Sequence, residues 1–458
     1  LRTLTNSLSL SQRIMSPILL KLVLNQQGGA GTQTYSLVST DQILALGHPE
    51  QGWGQTAEVL ITNRSGNLTA LDLGGYSGVF SYGYNDATAG DEFSATAPLT
   101  VIAQDTRRIG GDKMVVLTLA GLFNLWGEQE ASVAYTPDRI NTDTIKTILD
   151  AIAGATLTPF TDYPAHTITY DSGYDDSIIN AFAPADTFKV AKSESRLSAF
   201  QKALAYTKTK SRVENDSGTA TIHIFQPTRT GAVYDFEYKD TISPSNHNFF
   251  EKSIRERLVL PNRVIARNHP SHTDSFTGTA TNAASYAALN NQYYTRTIYV
   301  RASSNAECQR IAEAEMQNIE LAAERGYGKA PMNVGQEVMD YINIDDTHQG
   351  DSRAGNIGFL NRWYNFRNQA PNRFGLEFRF GRLLVPGLAG TIGPRDIATG
   401  TTAATAESIR SLWDNVLAQQ ATIESLIDYL LEREQNVEYQ ELSVVERFQG
   451  PMGANKFD

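Results

Sequence analysis

The sequence predicts a mainly β chain with an α+β insertion and a C-terminal helix, and three observations carry that reading. Short apolar or alternating runs recur over residues 17–125 and again over 231–388, separated by Gly, Asn, Asp and Ser. The apolar period becomes helical near Trp126 and returns to two near Gly231. An apolar heptad then occupies residues 405–440. Composition agrees, since 35 Gly, 20 Tyr and 19 Phe lean toward turns and strands. With 458 residues, two to four domains are expected.

In the first β block, 1–125, the expected strands are Ile18–Leu24, Ala57–Thr62, Leu68–Leu73, Gly78–Tyr82, Leu99–Ala103 and Lys113–Leu119. Asn63-Arg64-Ser65-Gly66-Asn67 and Asn85-Asp86 supply turns, and the even spacing points to a barrel or sandwich. The insertion, 126–230, holds a helix capped by Thr142, with Ile145, Ile148, Leu149 and Ile152 on one face and Gly154 at its stop. A second helix follows Ser193 with Leu197, Phe200 and Leu204 on one side. Thr219–Phe225 alternates, placing Ala220, Ile222 and Ile224 opposite Thr219, Thr221, His223 and Phe225.

The second β block, 231–388, offers strands at Val264–Arg267, Tyr293–Ala302, Gln336–Ile344, Asn356–Phe366 and Phe374–Leu384. One helix interrupts it near 304–325: Ser304 and Glu307 have capping-box spacing, and Cys308, Ile311, Ala312, Glu315, Ile319 and Ala322 follow before Gly326. Residues 271–291 read as a loop, 389–404 as a linker and 441–458 as an extended tail.

The formal charge of −11 and pI of about 5.2 argue against a tight nucleic-acid partner, because phosphate contacts demand a basic face. One cysteine, Cys308, excludes an intrachain disulfide and a cysteine-built zinc site. No run approaches the ~20 apolar residues of a membrane span. Ile18–Leu24 is strand-sized, carries Lys21 and lacks a small-residue cleavage pattern, so no signal peptide is expected.

Chemistry is sparse. Gly326-Tyr327-Gly328-Lys329-Ala330 lacks the spacing and hydroxyl of a phosphate loop, and no Gly-x-Ser-x-Gly elbow occurs. Cys308 on an apolar helix face reads as a core thiol. The His269-Pro-Ser-His272 pair cannot sit on a helix and has no third ligand nearby. Asp171–Asp176 and Asp345–Asp351 are acidic turns without the twelve-residue calcium loop and its closing glutamate. No catalytic residue, cofactor or metal is expected. The insertion offers only His166 and His223 with scattered acids. Tyr76, Phe80, Tyr82 and Tyr84, like Trp363, Tyr364 and Phe366, read as packing residues before sugar platforms.

The order of elements resembles the baseplate hub, or central tail-tip, proteins of tailed phages and related contractile injection machines. Ala57–Asn63 with Leu71-Asp72-Leu73 is similar to the hubs' strand–turn–strand, and Pro98–Ile102 follows where they carry another strand. The helix after Ser193 with Gly218–Phe225 resembles their helix-plus-hairpin insertion. Leu260-Pro261-Asn262-Arg263-Val264 looks like the Pro-Asn-x-Val that opens one of their strands. The helix near 304–325, then Pro331–Glu337 and Asp345–Ile357, complete a likeness covering about residues 17–385.

The resemblance implies two tube-type β domains with α+β insertions, and three copies in a ring. That ring would join a tail tube or distal tail protein to a tip, spike or fibre protein in the virion and pass DNA. The C-terminal heptad is the expected coiled-coil contact. Its a positions are Ile409, Val416, Ile423, Leu430 and Val437, and its d positions Leu412, Gln419, Leu426 and Arg433. The β-branched a residues with Leu at d favour two strands, whereas the resemblance implies a homotrimer. Residues 401–458 hold ten acidic and four basic residues, −6 of the total −11, which suits an exposed stalk. A receptor-binding or adhesin-type tail component and a tail-associated cell-wall hydrolase remain the alternatives.

Overall fold

The computed structural model describes residues 2–381 except 15, 30, 110–111, 175–176, 242, 256–257, 271–272 and 367–372. The heptad from Ile409 through Leu412, Val416, Gln419, Ile423, Leu426 and Leu430 to Val437 lies outside the described residues, as does His272.

The chain opens with helix α1 (Asn6–Ser11) and strands β1 (Ile18–Asn25), β2 (Thr32–Ser36), β3 (Ile43–Gln51), β4 (Gly54–Thr62), β5 (Ser77–Asp86), β6 (Gly90–Ala95), β7 (Leu99–Ile109) and β8 (Asp112–Ala120). In β1 the alternation works as read: Leu20, Leu22 and Leu24 are buried, while Lys21 faces out over the Phe93 ring at 4.3 Å. The strand expected over Leu68–Leu73 is instead a 3-10 turn at Asn67–Thr69. Leu68 and Leu73 still bury there, so the apolar spacing marked core contact and not a ladder.

Next come α2 (Leu122–Gly127), α3 (Ile145–Ala153), β9 (Ile168–Tyr170), α4 (Ile178–Ala181), α5 (Arg196–Leu204), β10 (Lys210–Asp216) and β11 (Thr219–Phe225). The cap of α3 is Thr144, two residues past the expected Thr142, and its hydroxyl accepts from the Thr147 amide at 3.3 Å. Ser195 caps α5 in the same way. Arg196 is fully buried and donates to the carbonyls of Ile152 and Ala153, closing the C-terminal turn of α3 with its charge.

The remaining elements are β12 (Phe236–Lys239), β13 (His247–Asn248), β14 (Glu251–Arg255), β15 (Arg263–Asn268), β16 (Thr277–Thr281), α6 (Ala283–Ala288), β17 (Thr295–Val300), α7 (Asn305–Ala323), β18 (Arg325–Pro331), β19 (Tyr341–Asp346), β20 (Asp351–Asn365) and β21 (Phe374–Phe380). Ser304 caps α7 as expected, but Gly326 does not end it: the helix stops at Glu324 and Gly326 lies in β18. The stretch read as a loop over 271–291 contains β16 and α6, because Thr and Ala alternation pairs with β15 rather than running free. Asn262 and Asn268 bracket β15. Asn262 donates to the Gln292 carbonyl and accepts from the Tyr294 amide, and Asn268 makes the matching pair of bonds with Ala302.

Fifteen strands join one mixed sheet along the path β13-β12-β19-β20-β3-β4-β8-β7-β5-β1-β2, with β6 beside β5 and β21, β18 and β14 branching from β20. The mainly β class expected from the sequence holds, and of the expected barrel or sandwich forms no closed barrel is present among the described residues. The reason is β20, whose 15 residues pair with β19, β21 and β3, so hydrogen bonding runs unbroken from the last strands to the first. Two three-stranded sheets stand apart, β10-β11-β9 and β16-β15-β17.

Burial follows the same division. One core combines Leu22, Val59, Phe80 and Leu117 with Tyr238, Ile344, Leu360 and Phe378. A second combines Trp126, Leu149, Phe200 and Ile224 with Val264, Ile298, Cys308 and Ile311. Each core draws on both halves of the sequence. The segment 259–323, expected to belong to the second β block with one helix near 304–325, therefore packs with the insertion.

Candidate functional site: the buried polar joint

The joint forms where β3 meets β20. Their antiparallel register sets Arg362 opposite His48 and Leu360 opposite Glu50. Arg362 is fully buried, and its guanidinium pairs with Glu50 across the strands and donates to the Gln336 carbonyl at 2.5 Å. It also lies over the Tyr82 ring at 5.6 Å. His48 is fully buried beside them. The Gln55 amide nitrogen donates to His48 Nε2 at 2.9 Å, so Nδ1 carries the proton and donates to the Tyr82 hydroxyl at 2.7 Å. Burial, aided by Arg362, holds the His48 imidazole down at about 3. Burial alone would raise Glu50, but Arg362 and Arg2 outweigh it and keep that carboxyl at about 2.

From Arg362 the network runs into the segment between β18 and β19. Gln336 accepts from the Tyr238 hydroxyl at 2.8 Å and donates to Asp340 at 2.9 Å, while Asn333 donates to Tyr238 at 3.1 Å and toward His247 at 3.4 Å. Two further cations enter from distant sequence. Arg2 reaches Glu337 at 3.2 Å, and Arg212 of β10 reaches Glu337 at 3.2 Å and Asp340 at 3.6 Å. Arg212 thereby ties the inserted sheet to the large one. Burial, then the Glu337 carboxylate, push the Asp340 carboxyl up to about 8, whereas Arg2 and Arg212 hold Glu337 below the usual range.

Paired carboxyls shifted in opposite directions are what acid–base catalysis uses, but such chemistry also needs room for a substrate beside them. The cavity beside it, lined by Glu50, Gln55, Arg212 and Glu337, holds about 20 Å³, room for one water and no substrate. The groups bond to one another across elements. The arrangement fastens three parts of the chain together.

The residues singled out in the sequence fall elsewhere. Phe80, Tyr82, Tyr84 and Tyr364 are buried, while Phe366 is exposed. Cys308 is buried, and burial lifts its thiol to about 11. The two acidic turns each meet a histidine, Asp171 with His223 and Asp346 with His348 and Asp240. Sequence reasoning missed the joint because no strand was expected over Ile43–Gln51, and Arg362 stands as one polar residue within the strand expected over Asn356–Phe366.

The class defined here is a mixed-sheet β scaffold bearing two small α/β modules. Among solved structures, the tail protein from Neisseria meningitidis MC58 shares this fold with a TM-score of 0.53 at 9% identity, covering 80% of this chain and 96% of that one. The prophage tail protein gp18 from Listeria monocytogenes EGD-e matches with a TM-score of 0.46 at 8% identity, over 80% and 95%. The prophage MuSo2 43 kDa tail protein from Shewanella oneidensis matches at 0.45 and 8%, over 80% and 97%. The likeness to the Neisseria protein is one of fold, and it bears out the resemblance to tail proteins read in the sequence. No family's sequence profile matches the chain, and no curated protein does. Among the described residues no helix is long and apolar enough to cross a membrane.

Proposed function

We propose that this chain is a structural, non-enzymatic protein of a phage tail, located at the tail tip, where three copies form a ring that joins the tail tube to the tip. The observation that carries this reading is the fold shared along nearly the whole length of a tail protein. Two further features support it. A sheet spanning β2 to β13, pinned at mid-length by a buried ionic joint, suits a part that bears load and does not open. The acidic balance suits a conduit that DNA passes without binding. In this reading the heptad from Ile409 to Val437 holds the copies together, or holds a tip, spike or fibre protein, and the far end of the ring meets the tube or a distal tail protein.

Negative-stain imaging of the purified full chain tests the ring. Threefold particles with a central opening are expected; monomers or elongated fibres would favour a receptor-binding component instead. Changing Ile423 and Leu426 together to Asp should leave the β scaffold folded by circular dichroism while the particles dissociate or lose their tip partner. If the double variant assembles like the parent, the stalk plays no part in assembly.

A further inference from the structure

The sheet β16-β15-β17 has one covered face and one open one. Val264 and Ile298 point into the second core, and a Cβ on Gly278 would meet the α7 backbone, so α7 covers that side. The other side carries three rungs centred on Arg263, Ile265 and Arg267 of β15. The flanking positions on β16 and β17 are five threonines and Tyr299, and none is acidic. Arg263 donates to the Thr295 hydroxyl at 2.7 Å and lies over the Tyr293 ring at 4.2 Å. Neither it nor the exposed Arg267 pairs with a carboxylate among the described residues. Residues 258–303 hold four arginines and one acidic residue, Asp274, a net of 4 − 1 = +3 within a chain of −11. The two arginines not on this face are paired, Arg296 with Glu315 and Arg301 with Asp186. Leu258, Leu260 and Tyr294 stand exposed in the segments that flank the Arg263 end.

We infer that this face is the docking surface for residues 424–438 of the same copy, with Glu424 and Glu432 against the two arginines and Asp428 over the middle rung. Residues 424–438 hold five acidic residues and one basic, the charge opposite to that of the face. Their spacing matches the rungs. Arg263 and Arg267 are four strand residues apart, about 13 Å. Glu424 and Glu432 are eight helical residues apart, about 12 Å, with Asp428 halfway. The middle rung, Thr279–Ile265–Thr297, offers Asp428 two hydroxyl donors. In the heptad read from the sequence, Glu424, Asp428 and Glu432 fall at b, f and c, opposite the a/d seam. The same helix can therefore give its seam to other copies and its acidic back to this face.

The chain end supplies the reach. Gly381, the last described residue, lies against the carbonyls of Leu321 and Glu324 at the end of α7. One turn back, Glu320 accepts from Asn282, the residue after Thr281 on the Arg263 rung. The 42 residues 382–423 then separate Gly381 from Glu424, and a flexible chain of that length spans roughly 35 Å. A protein segment suits the face better than a nucleic acid or a free anionic polymer. Tyr293 already stacks on Tyr286 at 4.2 Å and carries Arg263, so its ring is taken. Exposed Leu, Tyr and Arg side by side are the composition of a protein interface. The inference rests on the helical reading of the heptad but not on the ring, because the arginines lie apart from the Ile423 and Leu426 seam.

The test uses the full chain carrying Thr297→Cys and Asp428→Cys, treated with a short bismaleimide and digested for mass spectrometry. A 297–428 link is expected, weakening as salt rises. Val38→Cys with Asp428→Cys, which places the first thiol at an exposed position of the first block, should give none. Adding Arg263→Glu and Arg267→Glu should cut the link about tenfold, the scale of two exposed ion pairs. Adding Glu424→Arg and Glu432→Arg to that chain should restore it, which a merely structural loss would not allow. Circular dichroism checks that each variant is folded. Mixing light and 15N-labelled chains tells a link within one copy from a link between two. Absence of the link, a link indifferent to the arginine reversal, or one formed only between copies overturns the inference. Heparin bound by the parent with no 297–428 link would assign the face to a free polyanion and overturn it equally. Particles that keep their ring while the link is lost separate this contact from the seam.

Discussion

Arg362 has no contact with solvent, so its charge is held by Glu50, the Gln336 carbonyl and the Tyr82 ring. Replacing it by Met strips Glu50 of its paired guanidinium and leaves Arg2 as the cation acting on it, a change of the kind that typically costs about 3–5 kcal/mol. A urea titration of Arg362→Met should show that loss, and the double variant with Glu50→Gln should recover part of it because the stranded charge is gone. Two additive penalties would mean that the pair does not act as a pair. The histidines of the same network set a pH dependence. His48 and His247 are held down at about 3 by burial, far below the ordinary 6.5. Between those limits the unfolded chain takes up protons that the folded one refuses, so stability is full above about 6.5 and falls as pH drops toward 3. His48→Gln should flatten that decline, read as the urea midpoint at pH 7 and pH 4.5; an unchanged slope would show that His48 is not its source. Asp340, raised to about 8, works in the other sense, its share of stability fading as pH climbs from the ordinary carboxyl range through 8.

At the scale of elements, α7 sits directly on β16. A Cβ placed on Gly278 would lie 2.1 Å from the Gln309 amide nitrogen and 2.4 Å from the Cys308 carbonyl carbon. Only glycine permits that approach. Gly278→Ala must lift the helix away from the sheet, at a cost of about 1–3 kcal/mol. The displacement has a chemical reporter, because the Cys308 thiol lies beneath the same turn. Reaction with a thiol reagent under native conditions should be slow in the parent and many-fold faster in the variant. Equal rates would mean that the helix and sheet accommodate the methyl in place. Helix faces were readable from the residues, with Leu197, Phe200 and Leu204 lining α5 and Ile145, Ile148, Leu149 and Ile152 burying α3; of the expected ends, Ser304 caps α7, while Thr142 and Gly326 missed theirs. The patterns that misled, Leu68–Leu73 and 271–291, are short or weakly polar, where spacing does not separate a strand from a turn.

For the molecule as a whole, chain order and core membership disagree. The first β block contributes Leu22, Val59, Phe80 and Leu117 to a core completed by Ile344, Leu360 and Phe378. Residues 1–125 alone would expose that face and the free edge of β3, which β20 covers. Expressed by itself, the 1–125 fragment should aggregate or show collapsed amide dispersion in NMR, whereas co-expression with residues 231–388 should restore a folded complex. A monomeric fragment with native dispersion would show that the first block is an independent domain.

What the amino-acid order determined by itself is local: the alternation that buries Leu20, Leu22 and Leu24 in β1, the apolar faces of α3 and α5, and the Ser304 cap of α7. Those features rest on interactions within a few residues, and a short window contains them. Tertiary structure alone decided that His48-Pro49-Glu50 is a strand, because its partner lies some 310 positions later, with Arg362 opposite His48. It alone decided that β15, β16, β17 and α7 share a core with the insertion. It also brought Asp171, just past β9, beside Glu214 of β10 and His223 of β11. Each of these depends on which distant surface offers complementary burial and charge, and that choice is made by the folded chain as a whole.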